Sequence, residues 1–197
     1  MRGRQYAGKA ELNVQFQMAP FSRVEHLKPG KEAEVASPAA LVQQALLPAV
    51  RLELLPKSSI DVHVTVLDAD TSMLGYSALA VTAASAALAE AGVEMLGLVT
   101  GAAAVRCKLR LLTQSAVVSL PEEGYQQQLW LVDPSHKEAA HANTHLMVCS
   151  MPALGRTTCY NLQGPVTEPS KLKEVCKKLL CLSNRPPMLL YRLRHSS

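Results

Sequence analysis

The sequence predicts an α+β fold, and three observations lead there. Strand-like and helix-like patterns are interspersed in the order β-α-β-α-β-β-β-β-α, which favours mixed or antiparallel sheets packed on helices over a doubly wound parallel sheet. From Thr71 to Ala89 no side chain is charged, so that helix is expected to be buried on nearly every side at the middle of the domain. Apolar residues make up 48% of the 197 and charged residues 18%, a globular balance. That length suits one domain with a real core, and the reading is a single domain over residues 1–197. No internal repeat or low-complexity linker interrupts it.

Along the chain, Leu12, Val14, Phe16 and Met18 alternate with Asn13, Gln15 and Gln17, the period of a half-buried strand. His26–Ser37 reads as a loop carrying Lys28-Pro29-Gly30-Lys31. Ser37-Pro38 places a capping hydroxyl before a proline at the first helical position. Leu41, Val42, Ala45, Leu46 and Ala49 then keep one apolar stripe, and Pro48 tightens or ends the last turn. Ile60, Val62, Val64 and Val66 alternate with Asp61, His63 and Thr65 in a strand to Leu67 that Asp68-Ala69-Asp70 ends. Ala91-Gly92 closes the central helix.

Further on, Val105, Cys107, Leu109 and Leu111 alternate with Arg106, Lys108 and Arg110, which predicts a strand with one basic face. Pro121–Gln128 reads as a polar loop, and Leu129–Val132 as a short strand stopped by Asp133-Pro134. Strands are also expected near His145–Met151 and Thr157–Leu162. Leu172, Val175, Cys176, Leu179 and Leu180 specify a last helix, with Lys171, Lys173, Lys177 and Lys178 on its water-facing side, and Asn184–Pro187 must break it.

Charge and composition narrow the function classes. A net charge of +4 is compatible with RNA without demanding it. Five cysteines form no C-x-x-C pair, and Met1-Arg-Gly-Arg leads straight into polar sequence, so a reducing compartment with thiols as small apolar fillers is expected. Thr71–Ala89 is long enough to approach a bilayer core. Its Ala, Ser and Thr content and its flanking Asp68, Asp70 and Glu90 argue against a membrane span. No aromatic cluster suggests a base-stacking platform.

Several side-chain groups invite a site reading. Arg106, Lys108 and Arg110 at i, i+2, i+4 are candidates for phosphate contact along an RNA path; a solvated or edge-guarding face is the competing reading. Arg51 and Lys57, flanking the Pro56 turn, are a second basic pair. His141, His145 and Cys149 would align three metal ligands on a helix, but this stretch reads as a strand, and no metal is expected. Asp68 and Asp70 more simply supply a turn and a helix cap.

Three runs together resemble the RNase PH family of phosphate-dependent 3′-exoribonucleases. They are Ala19-Pro20-Phe21-Ser22; Leu55-Pro56-Lys57-Ser58-Ser59-Ile60-Asp61-Val62 running on to Val66-Leu67-Asp68-Ala69-Asp70; and Ala83-Ala84 through Ala91-Gly92-Val93-Glu94-Met95 with Leu98-Val99. Asp133-Pro134 with Glu138 resembles a later family stretch. The similarity covers about residues 8–183, weakly after Gly101, and leaves a divergent tail at 184–197. Within the family, Ala45–Leu52 and Ala91–Met95 look most like a ring subunit of the eukaryotic RNA exosome.

The resemblance implies an RNase PH-like fold, of the kind also seen in the second domain of ribosomal protein S5. Family domains begin with paired strands upstream of the strand that starts here near Lys9; this chain lacks them, so either the sequence is a truncated form or its first sheet is incomplete, and an unpaired edge would favour life inside a complex. Active members hold inorganic phosphate at a helix N-terminus with a Gly-Gly-Thr-Arg turn. Here Thr71-Ser72-Met73-Leu74 occupies that place, so both glycines and the arginine are gone and the phosphate site is degenerate. Active members also carry an aspartate pair, whereas Ser135–Asn143 holds no aspartate and only Glu138.

Losing one charged catalytic group commonly costs about 10²–10³ in rate, so losing both constellations predicts a subunit without catalytic residues or cofactor. The implied assembly is a heterodimer with a second RNase PH-like subunit, three such dimers forming a six-membered ring. S1 or KH cap subunits sit above it, single-stranded RNA threads its channel, and the complex works in nucleus, nucleolus and cytoplasm. The competing reading is an active phosphorolytic exoribonuclease using Ser72, Arg51 and Glu138 in an altered site. A free-standing anion-binding domain is a third.

Overall fold

The computed structural model describes residues 8–22, 36–108, 128–165, 175–177 and 179–180. Expectations for Lys28–Lys31, Leu109, Arg110, Leu111, Pro121–Gln127, Lys171, Leu172, Lys173, Lys178, Cys181 and Asn184–Pro187 lie outside the described residues.

Strand β1 (Glu11–Met18) and strand β2 (Ser59–Val66) pair in parallel, Leu12 opposite Ile60 and Phe16 opposite Val64. A parallel pair needs a crossover, and helix α1 (Ala36–Leu46) lies between them in the chain. Alternation then sorts the side chains. Leu12 and Phe16 are buried, and Ile60, Val62, Val64 and Val66 pack against the same core. Asn13 and Asp61 pair across the other face through a 3.0 Å hydrogen bond. Among the described residues this sheet has these two strands.

Helix α1 begins earlier than the Ser37-Pro38 pattern suggests, at Ala36. Proline is tolerated there because the first four N–H groups of a helix lack an internal partner anyway. Gln43 Nε2 donates to the Leu12 carbonyl at 2.7 Å and ties the helix to β1.

Helix α2 (Met73–Glu90) forms the centre of the fold. Ser72 caps it, accepting a hydrogen bond from the Gly75 N–H. At the other end Gly92 takes φ +73°, and two reversed bonds, Gly92 N–H to Ala89 and Val93 N–H to Leu88, satisfy the last carbonyls. The helix packs on α1 and on strand β3 (Thr100–Lys108). A Cβ at Gly101 would meet the Ala78 carbonyl oxygen at 2.5 Å, so helix and strand touch backbone to backbone there. Hydroxyls in the contact are used: Ser85 Oγ accepts from Val99 N–H at 2.8 Å, and Thr82 Oγ1 from Gly101 N–H at 3.0 Å.

The expectation that α2 is covered on nearly every side needs correction. Ten of its eighteen residues are buried, but Leu79, Ala83, Ala86 and Ala87 share an exposed stripe with no charge. Absence of charge reflects small apolar side chains here, which tolerate water as readily as a core. The helix is long and apolar enough to cross a membrane, yet 56% of it is buried within this fold.

The remaining strands form an antiparallel sheet in the order β4-β3-β5-β6, with β4 (Gln128–Val132), β5 (Thr144–Met151) and β6 (Arg156–Gln163). One face, with Ala103, Met147, Cys149, Met151 and Cys159, joins the core under α1 and α2. The other, with Ala104, Leu146 and Val148, packs on helical residues at 175–177 and 179–180, where Leu179 is fully buried. Strand β3 is therefore covered on both sides, and Ala103 to Cys107 are all buried. The alternation expected of a one-sided strand is absent for that reason.

Candidate functional site

Two helix starts meet at one end of α2. The loop at 68–72 leads into α2, and the turn at Asp133-Pro134-Ser135 leads into helix α3 (His136–Ala140). Thr71 and Ser135 form a β-bridge, and His136 N–H donates to the Asp70 carbonyl at 2.6 Å. Asp133 adopts φ +54°, a left-handed conformation that aspartate tolerates and that redirects the chain after β4. This junction brings together Thr71–Leu74 and the start of Ser135–Asn143, the two stretches singled out in the sequence.

Ser72, Ser135 and Glu138 are committed to helix capping, while the buried Thr71 hydroxyl has no hydrogen-bond partner. The Ser72 hydroxyl is buried and serves the Gly75 N–H at 3.3 Å. Leu74 is only 2% exposed and lies within the main core, so that position faces inward. Met73 is half-buried against the same core. Glu138 closes a capping box on α3: its Oε2 accepts from Ser135 N–H and Ser135 Oγ, both at 2.9 Å, while Glu138 N–H donates to Ser135 Oγ at 3.4 Å.

Electrostatics oppose an anion there. Asp68, Asp70, Asp133 and Glu138 stand on the two meeting segments, and among residues 68–74 and 133–138 only Lys137 is a fixed cation. Negative charges on these segments oppose the partial positive charge of a helix N-terminus.

The competing catalytic trio is not assembled. Arg51 lies beyond the far end of α2, where its N–H donates to the Glu94 carbonyl and its guanidinium meets the Glu94 carboxylate at 3.4 Å. Eighteen helical residues, about 27 Å at 1.5 Å per residue, separate that end from Ser72 and Glu138. Lys57 sits in an exposed turn after a 3-10 turn at Leu52–Leu54, with φ +65°. Nearby, Lys9 donates to Glu53 at 2.8 Å, and this hydrogen bond holds the Glu53 carboxyl below its ordinary range.

Arg106 needs correction as a surface cation. It is buried, its guanidinium carbon stands 6.0 Å from the centroid of the Trp130 ring, and Nη2 donates to the Pro165 carbonyl at 3.0 Å. Strand β3 lies between β4 and β5, so Arg106 has Trp130 on one flank and Thr144 on the other. It holds the chain after β6 in place. The Lys108 side chain and Arg110 lie outside the described residues.

The four-residue spacing of His141, His145 and Cys149 is not helical. His141 ends α3, whereas His145 and Cys149 lie in β5, about 13 Å apart at the rise of a strand. Burial lowers the His145 pKa and pushes the Cys149 thiol up to about 12. Helix α3 was missed in the sequence, although Ser135-x-x-Glu138 is a capping-box signature.

Residues 2–94 match the family model described as "3′ exoribonuclease family, domain 1", RNase PH. Over those residues the chain is similar to the first domain of that family. It is similar to the exosome complex component Rrp41 of Methanopyrus kandleri, 30% identical over 176 residues, covering 89% of this chain and 64% of that protein. It is also similar to the exosome complex component mtr3 of Schizosaccharomyces pombe, 29% identical over 181 residues, covering 91% and 62%. The chain thus spans somewhat under two thirds of these relatives. Its RNase PH-like fold matches a chain of the Archaeoglobus fulgidus exosome with RNA bound to the active site, with TM-score 0.65 and 16% identity over 89% of this chain and 69% of that one.

Proposed function

We propose that this chain is a ring subunit of an RNA exosome that takes part in 3′-to-5′ RNA processing and degradation without catalysing phosphorolysis. The observation that carries this reading is Leu74. Where a phosphate-gripping cation belongs, an aliphatic side chain is buried in the core, beside a glutamate tied into a capping box. Phosphorolysis needs inorganic phosphate held as nucleophile, and the Ser72 hydroxyl and Glu138 carboxylate at this junction are engaged as helix caps instead.

The similarity to exosome components supports a heterodimer with a second RNase PH-like subunit inside a six-membered ring, topped by S1 or KH subunits. In that setting the chain contributes interface area and lines a path for single-stranded RNA, with Arg51, Lys57, Lys108 and Arg110 as candidate backbone contacts. Nucleus, nucleolus and cytoplasm are the compartments this role implies.

The test is a phosphate-dependent degradation assay on purified chain with single-stranded RNA, followed by native mass spectrometry with a second RNase PH-like subunit. No nucleoside diphosphate release and a one-to-one complex are expected. Diphosphate release abolished by Glu138→Ala would overturn the non-catalytic reading, and a stable RNA-binding monomer would overturn the ring assignment.

A further inference from the structure

In the antiparallel pairing of β5 with β6, Cys149 stands directly opposite Cys159. Both thiols are free, both are buried in the core under α2, and both project from the same face of the sheet. Directly opposed residues of an antiparallel pair have Cβ atoms about 4.5–5.5 Å apart. A disulfide needs about 3.5–4.5 Å, so closing the gap requires a shift of about 1 Å.

The neighbouring ladder supplies that freedom. Register slips between Cys149 and Ser150: Cys149 pairs with Cys159 but Ser150 pairs with Thr157, leaving Thr158 as the extra residue of a bulge. The buried Thr158 hydroxyl has no hydrogen-bond partner. Among the described residues β6 pairs only with β5, so Cys159 rides on an edge strand.

We infer that Cys149 and Cys159 are a latent cross-strand thiol pair, which a two-electron oxidant such as hydrogen peroxide converts into a disulfide locking β6 onto β5. The order of events follows from burial. Cys149 is fully buried and its thiol is pushed up to about 12, so it is inert in the closed sheet. Burial raises the Cys159 thiol too, but Cys159 sits on the edge strand and is the less enclosed of the two, so it reacts first when β6 lifts. Its thiolate attacks one peroxide oxygen, giving a sulfenic acid and, after protonation, water. The Cys149 thiolate then attacks the sulfenic sulfur, forms the S–S bond and releases a second water. Two thiol protons and two electrons go to the peroxide, which leaves as two waters.

The experiment exposes the full chain to hydrogen peroxide, quenches it in denaturant with an alkylating reagent, and maps unreduced tryptic peptides. Cleavage after Arg156 separates the two cysteines, so only a disulfide joins their peptides. The expected result is joint loss of alkylation at Cys149 and Cys159, one cross-linked peptide pair, and about tenfold faster formation in urea below the unfolding midpoint. In Cys149→Ala, Cys159 should accumulate as sulfenic acid. The inference is overturned if both cysteines stay alkylatable after Cys176 has been oxidised, or if Cys159 links to another cysteine instead. The wild-type map decides the matter even if the variant fails to fold.

Discussion

The Glu138 carboxylate accepts two hydrogen bonds from Ser135, one from its N–H and one from its hydroxyl, each 2.9 Å long. That relationship gives the single acidic group of the 135–143 window a structural task. Replacing Glu138 with alanine opens the capping box of α3 and leaves Ser135 N–H without its acceptor. A loss of about 1–2 kcal/mol in unfolding free energy is expected from urea titration, with most of it restored in Glu138→Gln.

Restoring the family's cation should fail for a steric and dielectric reason. Leu74 is 2% exposed within the main core, so Leu74→Arg must bury a guanidinium or unpack the start of α2. A loss of about 3–5 kcal/mol is expected in chemical denaturation, with no phosphate-dependent RNA cleavage gained. Recovery of cleavage in a folded variant would show that the arginine position faces the site after all.

Close approach of α2 and β3 makes Gly101 sensitive. An alanine methyl there would stand 2.5 Å from the Ala78 carbonyl oxygen, which is backbone and cannot rotate away. Gly101→Ala should therefore destabilise the chain by about 1–3 kcal/mol by thermal or urea unfolding. At Gly97 the same change meets nothing nearer than 4.0 Å and should be close to neutral.

The cations divide by burial. Arg106→Ala removes the Trp130 contact and the Pro165 hydrogen bond, and should lower stability by about 1–3 kcal/mol while leaving the salt dependence of RNA binding alone. Lys57→Gln on its exposed turn should leave stability within about 0.5 kcal/mol. If that residue touches the RNA path in the assembled ring, the log–log salt slope drops by about 0.7.

Alkaline pH should unfold the protein through its thiols. Burial raises Cys149 from the ordinary 9.0 to about 12, so between those values the unfolded chain releases a proton that the folded one keeps. Stability is then fully present below pH 9 and falls as pH rises towards 12. Cys149→Ala should flatten that alkaline slope, measured as unfolding midpoint against pH.

Much of this fold was legible because period and punctuation are local. Strict alternation at Leu12–Met18 and Ile60–Val66 set β1 and β2, and Gly92 marked the end of α2 by its left-handed backbone. What the sequence concealed depends on tertiary neighbours. Arg106 reads as an outward cation until Trp130 flanks it and the chain after β6 accepts its hydrogen bond. The uncharged α2 reads as fully enclosed because alanine does not reveal which side meets water. Within the site, the absence of arginine from 71–74 and of aspartate from 135–143 was plain in the sequence. The use of Ser72 and Glu138 as caps, and the separation of Arg51 from both along α2, needed the structure.

The most direct measurement is a titration of the full chain with inorganic phosphate, followed through the backbone amide signals of Ser72 and Gly75. Linear, non-saturating shifts no larger than those given by chloride at equal ionic strength are expected. A saturable shift confined to the start of α2 would contradict the account.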